Sequence, residues 1–371
     1  MYKSIVKTWG INQLALRKTL VRHSSQLTGV SVHEVLPKKK VIRQYLYEKK
    51  INLSYKKVIQ TYEACWNNED TPLPAGVQAH DVYQLKAILE ANRKKTGALS
   101  KTALLLESNL IEKAAEMGDN MAITLLCGRT LNDEKASEED KSYAVKLLDD
   151  LCEIQFGPAF KIKGDIAYKH GHISKAEDLY QDCLDANLSQ ELNSVKIECL
   201  RSIGVIRFNN YDLEQAKLYF QLAIAEAEQP SQVMDCHFYL SQILEEDKDR
   251  ARYHLEQAAR FGLKQSFAPL GFLLMNYFNR PDLAVEWFDL GNSIGDFNSI
   301  VGLFDVSIKQ KKYDVARKAF ENIEKLTPDE DTLSHFKKSR RLGLEALQLQ
   351  NSTFASTDAA PEENPKGRWD F

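Results

Sequence analysis

The sequence has no apolar run approaching the roughly 18 residues that a membrane-spanning helix requires; its longest, residues 267–275, is half that length. No transmembrane span is therefore expected. The six cysteines, Cys65, Cys127, Cys152, Cys183, Cys199 and Cys236, never lie closer than 16 residues apart. No CxxC pair or His-rich neighbour accompanies them, so neither a zinc site nor a disulfide staple is legible, and they are expected as free thiols packed like small hydrophobes. Phosphate loop, dinucleotide fingerprint, nucleophile elbow and HExxH are all missing. The pair His170-Gly171-His172 reads as a turn between helices, where glycine is needed, and not as a metal site. No catalytic group, cofactor or metal is expected.

Carboxylates are also missing from the start of the chain, where the first is Glu34. The whole sequence carries a net charge of -3, yet residues 1–60 hold 13 Lys or Arg against two acids, a balance of +11, and the remainder stands at -14. A basic head on an acidic body argues against a nucleic-acid groove in the body, because phosphate binding needs clustered cations on that surface. Residues 1–25 are basic, acid-free and Ser-containing, with Ile5, Val6, Trp9, Leu16 and Leu20 near helical spacing. That is the composition of a mitochondrial transit peptide. The run Pro37-Lys38-Lys39-Lys40 follows, as a solvated linker or a contact to lipid headgroups or a partner.

With 371 residues, 43% hydrophobic and 27% charged, the chain can bury a large core. Its organisation is repetitive. Phe160, Gly164, Ala176, Tyr180 and Cys183 recur as Leu200, Gly204, Ala216, Phe220 and Ala223, each 40 residues on. Glycine to alanine to aromatic to small residue, at this spacing, is the tetratricopeptide pattern, in which small residues let two antiparallel helices approach closely. The alanine recurs at Ala251, Ala284 and Ala316. Ala114-Ala115-Glu116-Met117-Gly118 and Ala258-Ala259-Arg260-Phe261-Gly262 look like the Sel1 variant, with glycine as a left-handed helix stop.

The fold expected is all-α, an α-solenoid of tetratricopeptide and Sel1-like helix-turn-helix repeats over residues 100–326. Residues 26–99 are expected as a basic linker with helices at 41–70 and 78–95, separated by the breaker Thr71-Pro72-Leu73-Pro74-Ala75-Gly76. Residues 327–350 are expected to carry a capping helix from Thr332 to Gln350, and 351–371 a disordered tail. The binding surface of such a stack is lined by first helices. Its inward positions are expected to include Lys161, Asp165 and Lys169; Arg201, Val205, Phe208 and Asn209; and Phe272, Met275 and Asn276. Cations, amides and apolar groups together suit an extended peptide. Where Val205 stands, a clamp for the acidic terminus of a chaperone would need asparagine.

The segment GFLLMNYFNRPDLAVEWFDLGNSIGDFNSIVGLFDVSIKQKKYDVARKAFENIEKL, residues 271–326, resembles a fungal family of mitochondrial proteins needed for cytochrome c oxidase assembly. Asn276-Tyr277-Phe278-Asn279, Glu286-Trp287-Phe288 and Lys325-Leu326 are its most distinctive words; Pro37-Lys38-Lys39 and residues 110–122 are similar too. The resemblance covers about residues 35–345. It implies a peripheral protein on the matrix side of the inner membrane, which works with the insertion machinery to export the C-terminal domain of oxidase subunit II. The other readings are a translational activator that binds organellar mRNA, since helix pairs of this length also read RNA, and a general scaffold adaptor. The acidic body weighs against the first.

Overall fold

Apolar residues recur every three to four positions along most of the chain, so each helix has one stripe that must be covered by another. The computed structural model describes residues 31–66, 71–97, 100–186, 189, 192–327 and 329–348. Both the leader, residues 1–25, and the tail, 351–371, lie outside these. Among the described residues every regular element is helical, with no strand.

The chain divides into two compact units after Ser202. The first contains α1 (Val32–Val35), α2 (Lys39–Glu48), α3 (Tyr55–Trp66), α4 (Ala79–Thr96), α5 (Lys101–Glu116), α6 (Asn120–Asn132), α7 (Glu138–Glu153), α8 (Gly157–Lys169) and α9 (Ile173–Asp185). Helix α10 (Asn193–Asn209) runs across the division. The second unit continues with α11 (Leu213–Glu226), α12 (Met234–Ile243), α13 (Lys248–Arg260), α14 (Phe267–Asn276), α15 (Pro281–Ser293), α16 (Phe297–Lys309), α17 (Tyr313–Leu326), α18 (Glu330–Ser339) and α19, residues 341–348. Within each unit a helix packs on the next and often on the next but one, as in α6 with α7 and α8, or α14 with α15 and α16. That neighbour-only pattern defines a helical repeat array.

The small-residue rule has a visible cause. A β-carbon placed on Gly164 would lie 2.7 Å from Tyr180 Cε1, and one on Gly204 would lie 2.6 Å from Phe220 Cε1. The aromatic ring of each second helix thus rests on the bare backbone of the first. Phe288 fills the same role against both Gly271 and Gly302, joining two successive pairs. Helix starts are fixed by side chains that accept from the first free N–H groups: Asp119 from Ala122 at 2.8 Å, Asp296 from Ser299 at 2.9 Å. The Sel1-like stops at Gly118 and Gly262 have φ of +90° and +88°, the left-handed region that a β-carbon disfavours.

Two expectations are corrected. Residues 41–70 do not form one helix: α2 ends at Glu48, Lys50 turns left-handed (φ 54°), and the Ile51 N–H donates back to the Leu46 carbonyl at 2.9 Å. This closure turns Ile51 into the core, where it is buried, and α3 starts afresh at Tyr55. The capping helix is likewise two. Arg340 interrupts it, its guanidinium forked on Asp305 of α16 at 2.9 and 3.0 Å. One core cluster runs from Val32 through Tyr62, Leu85 and Leu110 to Ala159, so the N-terminal helices pack continuously onto those that follow residue 100.

Candidate functional site

In the first unit the candidate residues lie on α8 and α10. Phe160, Gly164 and Ala167 turn one face of α8 into the core. Lys161, Asp165 and Lys169 recur at four-residue steps, beginning one position after Phe160, so they share the adjoining face. Lys161 Nζ sits 2.8 Å from Asp165 Oδ2 and 2.7 Å from Glu198 Oε2 of α10. Asp165 also accepts from the Tyr180 hydroxyl at 3.0 Å, and Lys169 donates to Asn132 Oδ1 at 2.9 Å. Partial burial draws the Lys161 ammonium pKa down, but Glu198 and Asp165 outweigh it and hold the group above the ordinary lysine value. Burial, reinforced by the Asp165 charge, keeps the Tyr180 hydroxyl protonated far into alkali. The cluster is a charged cross-brace between two first helices, and its only exposed cation is Lys169. Arg201 is half-buried on the same helix as Glu198.

In the second unit Phe208 and Val205 are half-buried and Asn209 is exposed. The Phe208 ring lies 5.0 Å from that of Tyr239, which stacks on Phe220 at 5.1 Å with the planes 4° apart. Phe272 is half-buried, edge-on to Phe288 at 5.0 Å, and Asn276 is exposed. Met275 is corrected: it is 6% exposed and part of the core cluster of this unit. It falls one turn after Gly271 on the buried face of α14, so only its carbonyl reaches outward, accepting from Lys309 Nζ at 3.2 Å. The exposed members of the expected set are therefore Lys169, Asn209 and Asn276.

Sequence reasoning missed Glu198, Tyr239 and Asn132. The 40-residue repeat equates Lys161 with Arg201 and does not mark Glu198, which lies nearly one turn earlier on α10 and faces Lys161 across the helix pair. Tyr239 and Asn132 stand outside the glycine-alanine-aromatic words altogether. Among the described residues no group of three or more His, Cys, Asp or Glu is placed to hold a metal. His237 and His254 approach within 2.9 Å, Nδ1 to Nδ1, as a pair without further ligands. The turn at His170-Gly171-His172 is a turn, with Gly171 at φ +79°.

Residues 26–119 match the family model of the MSS2 N-terminal domain. Across 330 residues the chain is 26% identical to protein MSS2, mitochondrial, of Saccharomyces cerevisiae, an alignment that covers 85% of this chain and 93% of that one. The chain is similar to MSS2 along most of its length. Helices α1–α5 fall inside the MSS2 N-terminal match. Among solved structures, the tetratricopeptide protein YrrB, described as having an unusual peptide-binding site, is similar at 15% identity and TM-score 0.40, covering 51% of this chain and 96% of its own. Apo RapI is similar at 16% identity and TM-score 0.44, with 81% of this chain and 86% of that one covered. Yeast Tom70 is similar at 12% identity and TM-score 0.41, with 94% and 80% covered.

Proposed function

We propose that this chain is a mitochondrial assembly factor whose helix pairs hold an extended, hydrophilic protein segment without changing it covalently. The observation that carries the reading is the similarity to mitochondrial MSS2 over 85% of the chain. The segment proposed is the C-terminal domain of cytochrome c oxidase subunit II, held for export beside the membrane insertion machinery. The protein then works as a peripheral component on the matrix side of the inner membrane. No helix among the described residues is long and apolar enough to cross a bilayer.

Each unit offers its own contacts to a guest chain. Lys169 in the first, and Asn209 and Asn276 in the second, present exposed donors to a guest backbone; Phe208 and Phe272 offer half-buried apolar surface beside them. Lys161 is a poor choice for testing this, because Lys161→Glu adds a third carboxylate beside Asp165 and Glu198 and endangers the brace itself. The informative variant is K169E/N209A/N276A. Each lost hydrogen bond costs about 0.5–1.5 kcal/mol, so copurification with the subunit tail from detergent-solubilised mitochondria should fall by about tenfold or more, with an unchanged helical spectrum. Undiminished recovery of the tail would retire these three residues, and recovery of nuclease-sensitive RNA crosslinks instead would favour a translational activator.

A further inference from the structure

The N-terminus of helix α2 is charged against its own dipole. Aligned peptide groups leave partial positive charge at a helix N-terminus and negative charge at its C-terminus. Here Lys38 is the N-cap with no side-chain capping bond, Lys39 and Lys40 follow, the first turn has no acid, and Glu48 closes the helix. Such a conflict between local preference and sequence marks a segment arranged for something other than its own stability.

The side chains sort cleanly around the axis. Ile42 and Leu46 are buried, at 0% and 7% exposure. On the opposite side Lys40, Arg43, Gln44 and Tyr47, at i, i+3, i+4 and i+7, form one exposed stripe. Tyr47 is 87% exposed in the middle of the cations. Lys39 Nζ and the Arg43 guanidinium lie 5.1 and 5.9 Å from the centre of the Tyr55 ring, which fixes both heads at the edge of the stripe. Lys49 and Lys50 extend it past the helix end. Among the described residues none of these six cations, Lys38 to Lys40, Arg43, Lys49 and Lys50, is ion-paired, and Glu48 is occupied by the Gln44 amide at 2.8 Å.

We propose that this face of α2 docks on the surface of an anionic phospholipid bilayer, with the cations at the headgroup phosphates and the Tyr47 ring at headgroup depth. A lone tyrosine set among lysines and arginine has the amphipathic character of interfacial aromatics, whereas single-stranded RNA calls for several rings in succession. The local charge balance agrees: residues 31–60 hold eight Lys or Arg against Glu34 and Glu48, a balance of +6, so an anionic surface attracts this segment even without the basic leader. The proposal is independent of the peptide-binding assignment. Copurification through Lys169 and membrane partition through Arg43 fail separately.

The test uses the full chain and vesicles of phosphatidylcholine with and without phosphatidylglycerol. Each cation near an anionic leaflet contributes about 1 kcal/mol, about fivefold in partition, so K40E/R43E should lower binding to the anionic vesicles by at least about 25-fold while K40R/R43K retains it. Because both residues are exposed, the helical spectrum should not change; if K40E/R43E fails to fold, K40Q/R43Q replaces it with about a 25-fold loss expected. Tyr47→Trp separates this face from the basic leader: the emission it adds should shift blue on anionic vesicles and stay unshifted on neutral ones. Partition that survives K40E/R43E and K40Q/R43Q overturns the proposal. So does an added indole emission that remains water-exposed while the Tyr47→Trp chain is vesicle-bound, whatever else holds it there.

Discussion

A methyl group added at Gly204 would meet the Phe220 ring at 2.6 Å, and Phe220 is fully buried with Tyr239 stacked upon it. Two effects oppose each other. Alanine in place of helical glycine gains up to about 1 kcal/mol of helix propensity, whereas overpacking a filled core costs about 1–3 kcal/mol. The ring has nowhere to move, so Gly204→Ala should lower the urea midpoint, by a net loss of up to about 2 kcal/mol, and G204A/F220L should recover part of it. An unchanged or raised midpoint for G204A would show that the close approach is not required. The glycine and its aromatic were legible because their spacing repeats after 40 residues. Met275 was misplaced because sequence periodicity identifies a stripe but not its edges, and one position of rotation separates the core residue from the exposed Asn276.

Between elements, the contacts that join α12 to α13 include a pair of imidazoles whose titration is tied to folding. His237 and His254 share a hydrogen bond at 2.9 Å, one ring donating and the other accepting, and Tyr253 lies edge-on to both. Burial lowers the pKa of each; for His254 the neighbouring His237 lowers it further, to about 4. An unfolded chain takes up these protons near the ordinary value of about 6.5, so it binds more protons than the native state between that pH and about 4. Stability is therefore complete above pH 6.5 and declines as pH falls through this window. Thermal melts should show the loss, and His254→Phe should flatten it. A slope that is identical in the variant would place the acid sensitivity elsewhere. The pair was invisible in sequence, since 17 residues and a turn separate its members. Helix boundaries at Glu48 and Arg340 were missed for a related reason: Ile51 returning to the core and Arg340 forking on Asp305 are tertiary events.

On the scale of the whole chain, each unit is held by apolar packing without covalent help. All six cysteines are free, and every one but the half-buried Cys152 is buried. Burial pushes Cys65 and Cys127 up to about 12, and Cys152 to about 11, so these thiols stay protonated and unreactive at neutral pH. The melting temperature should accordingly be the same with and without reductant, and with and without chelator. A fall in either condition would reveal a cross-link or a metal that the fold depends on.

The linear chain determined by itself that this is an array of helix pairs, since a recurring glycine, alanine and aromatic encode one local packing unit that its neighbours must cover. It also carried the words by which the chain resembles MSS2. Only the tertiary structure decided which candidate side chains remain on the surface to meet a partner. Lys161 is spent on bracing α8 to α10 and Met275 on filling the core, while Lys169, Asn209, Asn276 and the α2 stripe stay in contact with water. The physical reason is range: repeats are written over distances of one helix pair, but burial and ion pairing are settled by residues tens of positions away.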